Sequence, residues 1–350
     1  MKTLLKKNNQ GPLIGIMTAK KGNGVVTGNI PLFTELQKKL ISLGGISFIF
    51  TIEGVYDDYI DGFTYQLEQN RWVQVRTTYP DLVYNRIPFR KSEQDGRCQS
   101  FFSILTARNI PYFNPCFIDK YQLFRLLEHH PILQKYLPKT ILVNQKQALS
   151  LFLYEQKRIY LKPAQSAKGN GIFRLTLLEN KQIQLNGILN ADSYPSFDDF
   201  WLLWEKELLD KNYLAQEEIR SSLYEGKRYD FRILAHLGNK EYSVTGVGIR
   251  QAHEQDITTH IPSGGRLLPY PLFQSTEHDH FIQTVVSHIG HVLSDQLGFF
   301  GEFSIDACHS SDGNYYLFEV NSKPMSFDET DIEDRKIMEL CRLFFQLTDH

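Results

Sequence analysis

Residues 301–324 read GEFSIDACHSSDGNYYLFEVNSKP. Aromatic and β-branched residues fill Phe300–Ala307 and Tyr315–Val320, and the polar run between them carries the Asp312-Gly313 turn signal, so the stretch predicts an antiparallel hairpin. Side chains alternate along a strand, which places Glu319 and Asn321 on one face and Ser304 and Asp306 together on the partner. Asp306 then opposes Leu317 or, one bulge away, Glu319. Either register gathers two carboxylates and an amide, a donor set without Cys or His that suits Mg²⁺, an ion that completes its shell with water and substrate phosphates. A nucleoside triphosphate is the implied substrate; the alternative is a solvated hairpin with its acids in water.

Working outward, the 350 residues suffice for two or three domains, and 42% hydrophobic with 22% charged residues describes an ordinary globular chain. A formal charge of −2 gives no overall electrostatic case for nucleic acid or an anionic membrane as partner. Cys98, Cys116, Cys308 and Cys341 form no C-x-x-C pair and fit reduced thiols in a cytosolic compartment. The basic start lacks a continuous apolar run, so no signal peptide is expected. The most apolar window, Leu40–Ile52, falls short of the ~18 residues of a spanning helix.

The first third predicts an α/β unit: a strand at Leu13–Met17, a helix from Pro31 to Leu43 stopped by Gly44-Gly45, a strand at Ile46–Ile52, an edge strand at Arg71–Arg76, an inner strand at Asp81–Asn85 and a helix over Asp95–Asn109. The Gly22, Gly24 and Gly28 spacing is wrong for a phosphate fingerprint and reads as a surface loop. Arg86 stands at a strand's carboxyl end, where an open sheet binds ligands; a surface salt bridge is its other reading.

Further on, Asp119 reads as a helix N-cap with Lys120 in the first turn, a cation that opposes the helix dipole and is available to an outside anion. Lys162 ends the strand IYLKP and leads into QSAKGNG, where Gly169 and Gly171 let backbone N–H groups approach phosphate and Lys168 adds charge; an ordinary hairpin turn is the alternative. The helix Ser196–Leu209 carries Phe197, Phe200, Trp201, Trp204 and Leu208 at core spacing. Tyr213–Ile219 reads as a strand, Tyr229–Leu237 as one with Asp230 and Arg232 on a single face, and Tyr242–Arg250 as its neighbour. A Thr276-x-x-Asp279 capping box opens a helix that ends at Gly298, and Glu329–Leu347 forms the last helix. Glu277, His278, Asp279 and His280 fan outward from a helix start, which argues against a second metal site.

Seven pieces, IDK, YLKP with its glycine loop, AQEEI, DFR, SGG, IDA and FEVN, together resemble the ATP-grasp superfamily over residues 119 to 321. PDLVYNRIP, KYLPKT, YLKPAQSAKGNGIFRL and FEVNSKP are similar to the YheC/YheD group of endospore coat-associated proteins. The resemblance implies an N-terminal pre-ATP-grasp α/β domain (1–115) and a two-lobed α+β ATP-grasp domain (116–350, divided at 215/216) that clamps ATP between its sheets. It assigns Lys120, Lys162, Lys168, Gly169 and Gly171 to the phosphates, Glu217, Glu218 and Ile219 to the adenine strand, Asp230 to the nucleotide, and Asp306, Glu319 and Asn321 to Mg²⁺ or Mn²⁺. Thr258-Thr259-His260 departs from the family's usual Arg and Asn before the Gly-Gly pair, leaving Arg250 or Arg266 as the cation beside the transferring phosphoryl group. The implied activity is ATP-dependent ligation of a carboxylate, in a small molecule or peptide, to an amine or thiol through an acyl phosphate. The alternatives are an inactive coat component and a small-molecule kinase, and spore-coat proteins are the implied partners.

Overall fold

The computed structural model describes residues 3–4, 11–21, 25–165, 171–252, 259 and 264–349. Among them the chain forms three sheets that follow one another in sequence.

The first sheet holds β1 (Thr3–Leu4), β2 (Leu13–Lys20), β3 (Val26–Thr27), β4 (Ile46–Val55), β5 (Ile60–Gln66), β6 (Arg71–Thr77), β7 (Leu82–Asn85) and β8 (Tyr112–Phe113), in the order β1-β6-β5-β4-β2-β7-β8 with β3 beside β2. Helices α1 (Ile30–Ser42), α2 (Arg90–Glu93) and α3 (Gly96–Ala107) accompany it. β4, β2, β7 and β8 run parallel, and β2 and β7 are near-continuous apolar runs because both faces are covered. Arg71–Thr77 is less of an edge than its polar alternation predicts, since β5 pairs along it antiparallel and β1 lies on its other side.

The second sheet, β13-β12-β11-β10-β14-β9, is antiparallel. It comprises β9 (Thr140–Leu142), β10 (Arg158–Pro163), β11 (Phe173–Leu177), β12 (Ile183–Asn186), β13 (Ala191–Tyr194) and β14 (Tyr213–Glu217), and follows α4 (Lys120–Leu127). Helices α5 (Lys146–Gln156) and α6 (Phe197–Asp210) cover one face, where Phe197, Phe200, Trp201 and Leu208 enter a separate apolar core with Leu149, Leu153, Ile159 and Leu161. Ser196 caps α6 by accepting from Asp199 N.

The third sheet is β18-β17-β16-β19-β20 with β15 beside β16: β15 (Leu223–Tyr224), β16 (Lys227–Leu237), β17 (Tyr242–Gln251), β18 (Arg266–Leu268), β19 (Glu302–His309) and β20 (Tyr315–Asn321). The 22-residue α7 (Thr276–Leu297) lays Phe281, Ile282, Val285, Val286 and Ile289 on this sheet. Its cap is Ser275, which accepts from His278 N, one residue before the expected Thr276. Asp279 instead accepts from Tyr270 Oη at 2.7 Å and Gln274 Nε2 at 2.8 Å. His278 turns to Tyr315, and among the described residues no group of three metal-binding His, Cys, Asp or Glu side chains forms.

Two packing relationships cut across the expected boundaries. Ile118, Leu123 and Leu127, around and within α4, enter the core of the third unit. The last helix, α8 (Thr330–Thr348), sends Leu340, Cys341, Leu343 and Phe344 into the first unit's core against Ile14, Phe33 and Leu36. Below these lies a buried charge cluster centred on Glu302, which accepts from Tyr84 Oη at 2.5 Å and stands 3.3 Å from Arg86 Nη1 and 3.7 Å from Lys336 Nζ. Arg86 is therefore neither at the surface nor open to ligand on all sides; its Nη2 also donates to Pro324 O at 2.9 Å. No described helix is long and apolar enough to cross a membrane.

Candidate active site

The hairpin β19–β20 takes the bulged register. Asp306 pairs with Glu319 and Ser304 with Asn321, and the shift after Asp306 sets Ala307 opposite Leu317. The unmatched residue is Phe318, and a bulge of this kind re-aims a side chain locally. Phe318 lines the cleft between the second and third sheets, with its ring centre 5.4 Å from Lys162 Nζ. Alternation sends Phe303, Ile305, Ala307, Leu317 and Val320 to the core and leaves Asp306, Glu319 and Asn321 on the cleft.

That cleft has a volume of about 1020 Å³. The second sheet contributes Tyr160 and Lys162 from β10 and Gln216 and Glu217 from β14; the third contributes Asp230, Arg232, Arg250 and the hairpin acids; Lys120 reaches in from the start of α4. Asp119 caps α4 by accepting from Tyr121 N and Gln122 N, which fixes the helix start that carries Lys120. Lys120 Nζ lies 2.9 Å from Glu319 Oε1. Lys162 Nζ donates to Gln216 Oε1 at 2.6 Å, and burial pulls its pKa down to about 8 against the opposing pull of Glu319.

Around the hairpin acids, Arg232 Nη1 stands 3.7 Å from Asp306 Oδ1, and Asn321 Nδ2 donates to Asp306 Oδ2 at 3.4 Å. Burial raises the Asp230 carboxyl, although Thr259 Oγ1 donates to it at 2.8 Å and Arg228 attracts its charge. Arg250 pairs with Asp230 across β16 and β17; burial, and then the neighbouring Arg232, lower its pKa to about 10.

The remaining expected residues divide between the cleft and its surroundings. Glu217 reaches the cleft and accepts from Lys139 N at 2.7 Å, and Ile219 lines it too. Glu218 turns to Arg158 and Arg174, each 3.6 Å away, and is not part of the lining. Arg266 binds Gln251 Oε1 and Glu225 Oε2, both at 2.6 Å, and does not line the cleft. Gly171 adopts φ +73°, where a Cβ would stand 2.9 Å from Pro163 Cγ. Lys168, Gly169 and His260 lie outside the described residues.

Sequence reasoning passed over Tyr160, Gln216, Phe318, Lys323 and Arg90, all of which line the cleft. Lys323 was accessible to the same alternation that found Glu319 and Asn321, since it continues their two-residue period. It pairs with Glu93, and burial lowers its pKa to about 8.

The donor set fits a hard divalent cation. Two carboxylates share one register position, and Asn321 adds an amide whose carbonyl would face the cation after a simple flip. Mg²⁺ takes one or two protein carboxylates and draws the rest from phosphate and water.

The profile of the YheC/D-like ATP-grasp family matches residues 109–347. The chain belongs to this family. It is 28% identical over 336 residues to the endospore coat-associated protein YheD of Bacillus subtilis, covering 90% of this chain and 73% of that protein. To YheC of the same organism it is 23% identical over 312 residues, covering 83% and 84%. Among solved structures it resembles the ATP-grasp ligase PsnB bound to its minimal precursor (TM-score 0.57, 14% identity, 95% and 98% covered). It also resembles the D-Ala:D-Ser ligase VanG of Enterococcus faecalis (0.56, 12%, 97% and 100%) and D-alanyl-alanine synthetase A of Vibrio cholerae (0.54, 11%, 96% and 99%). At these identities the shared property is the ATP-grasp fold, with the α/β unit preceding it.

Proposed function

We propose that this chain is an ATP-dependent ligase that joins a carboxylate to an amine, or to a thiol, through an acyl phosphate. The observation that carries the reading is the meeting of Lys120 and Lys162 with Asp306, Glu319 and Asn321 in one cleft. Basic groups from one side and a cation-binding face from the other are what a triphosphate requires.

In this reading Tyr160, Glu217 and Ile219 border the base, and Lys120 and Lys162 neutralise the phosphates, with Gly171 as a further phosphate contact. Lys168, Gly169 and Asp230 are the remaining residues proposed to contact the nucleotide. Asp306, Glu319 and Asn321 would hold Mg²⁺, which supplies charge neutralisation at the phosphates. Arg250 stands beside the transferring group. Arg266, tied to Glu225, has less claim to that place.

A carboxylate oxygen attacks the γ-phosphorus while the bond to the β,γ-bridging oxygen breaks, releasing ADP. The amine nitrogen then attacks the acyl carbon, the carbon–oxygen bond to phosphate breaks, and phosphate leaves as the amine proton passes to it or to solvent. Activation resides in the mixed anhydride, so the chain needs no nucleophile of its own. Cys308 is buried and burial raises its thiol pKa, in keeping with a bystander. Association with the endospore coat, and with coat proteins, is proposed from the names of the relatives.

The test is ADP release from ATP and Mg²⁺ across a panel of acids with hydroxylamine present. A hydroxamate that forms with ADP supports the ligase. Phosphorylated product without hydroxamate would make the chain a kinase, and the absence of any Mg²⁺·ATP-induced rise in melting temperature would remove nucleotide chemistry altogether.

A further inference from the structure

The first sheet has a topological switch point that the nucleotide does not use. From β2 the chain crosses through α1 to β4 on one side, then returns to place β7 on the other side of β2, all three parallel. Open α/β sheets bind ligands in the crevice outside the carboxyl ends of the two strands that flank such a reversal. Here that crevice opens into the far end of the cleft, lined by Lys21 and Asn29 after β2 and by Arg90 after β7.

Basic residues outnumber acidic ones along the cleft. Lys323 and Arg86 are answered by Glu93 and Glu302. Among the described residues, no carboxylate lies at ion-pair distance from Lys21, Arg90 or Arg250. The Arg250 side chain is only 9% exposed, makes no hydrogen bond to the described residues, and faces the cleft; Asp306, Asp328 and Glu329 attract its charge from beyond ion-pair distance, which leaves its donors open to an incoming anion. Arg90 is held in place by Ile118 O at 2.5 Å and by the Phe117 ring, 5.0 Å from its guanidinium carbon. The α1 N-terminus adds a positive dipole end and carries no acidic residue in its first turn.

We propose that this crevice binds the acid substrate of the ligase reading, on which the inference rests, and that the acid carries a second negative group. Arg90 and Lys21 hold that group while the reacting carboxylate lies beside Arg250. The substrate class is thus a dicarboxylate or a comparable dianion.

The test is calorimetric titration of the full chain, with and without Mg²⁺·ADP, using glutarate and citrate against the monocarboxylate butyrate. Glutarate or citrate should bind about tenfold or more tightly than butyrate, and Arg90→Gln and Lys21→Gln should each erase the preference while leaving Mg²⁺·ADP affinity unchanged. Equal affinity for the three acids, no binding of glutarate and citrate, or a preference that survives in both variants overturns the proposal. A chain that binds the dianions but not Mg²⁺·ADP keeps the crevice and loses the ligase reading, so the two failures are distinct.

Discussion

Lys120 Nζ lies 2.9 Å from Glu319 Oε1, a contact that ties the first turn of α4 to the bulged strand β20. The ammonium neutralises the carboxylate to which the proposed function gives a metal. Glu319→Ala is expected to abolish the Mg²⁺-dependent part of the ATP-induced melting shift, and Lys120→Met to reduce turnover by roughly 10²-fold, a common cost of losing one charge-stabilising group. Scanning fluorimetry with and without Mg²⁺, and an ADP-release assay, check both. An unchanged shift in Glu319→Ala would remove the metal assignment.

Lys162 gives a pH dependence with two opposite signs. Its pKa of about 8, against an ordinary 10.5, means that between these values the unfolded chain holds more protons than the folded one. The unliganded protein should therefore gain stability from this group as pH rises from about 8 towards 10.5. Affinity for ATP should move the other way, falling as the ammonium deprotonates above pH 8. Lys162→Arg is expected to flatten the affinity profile over pH 7 to 9, measured by titration calorimetry.

The Glu302 cluster is a stability element. Burial alone would raise this carboxyl, yet Lys336, His236 and Arg86 outweigh it and hold it well below the usual carboxylate range. Glu302→Ala leaves buried Arg86 without its carboxylate and Lys336 with Glu333 alone at 3.5 Å, and should cost about 3–5 kcal/mol. Tyr84→Phe removes one buried hydrogen bond and should cost about 1–2 kcal/mol. Urea denaturation followed by circular dichroism reads both.

Gly290 on α7 lies against the ring of Tyr242, where an added Cβ would stand 2.2 Å from Tyr242 Cγ. Tyr242 cannot retreat easily because its hydroxyl bonds Ser294 and Phe300 O. Gly290→Ala should destabilise by roughly 2–3 kcal/mol through overpacking, despite the helix preference for alanine. A variant as stable as the parent would contradict this packing.

Much of the architecture was readable because two-residue alternation is a local property. Asp230 and Arg232 on β16, and Glu319 with Asn321 on β20, were placed on one face by counting alone, and the cleft contains all four. The register of Asp306 was open between Leu317 and Glu319 because a bulge depends on how the hairpin packs, which no residue in the turn encodes. Arg86 shows the opposite limit. Its position at a strand end was legible, but its partner Glu302 lies 216 residues away and belongs to another sheet. The same holds for α8: a helix over Glu329–Leu347 was expected, while its destination in the first unit's core required the tertiary fold.

Because α8 closes the chain's beginning onto its end, the first and third units share apolar packing and the Glu302 ion cluster, whereas the second sheet keeps a core to itself. A hinge therefore has only one natural partner to swing. The middle lobe, carrying Tyr160 and Lys162, is therefore the part expected to lift when the cleft admits a nucleotide, and amide exchange under native conditions should open that lobe before either of the others.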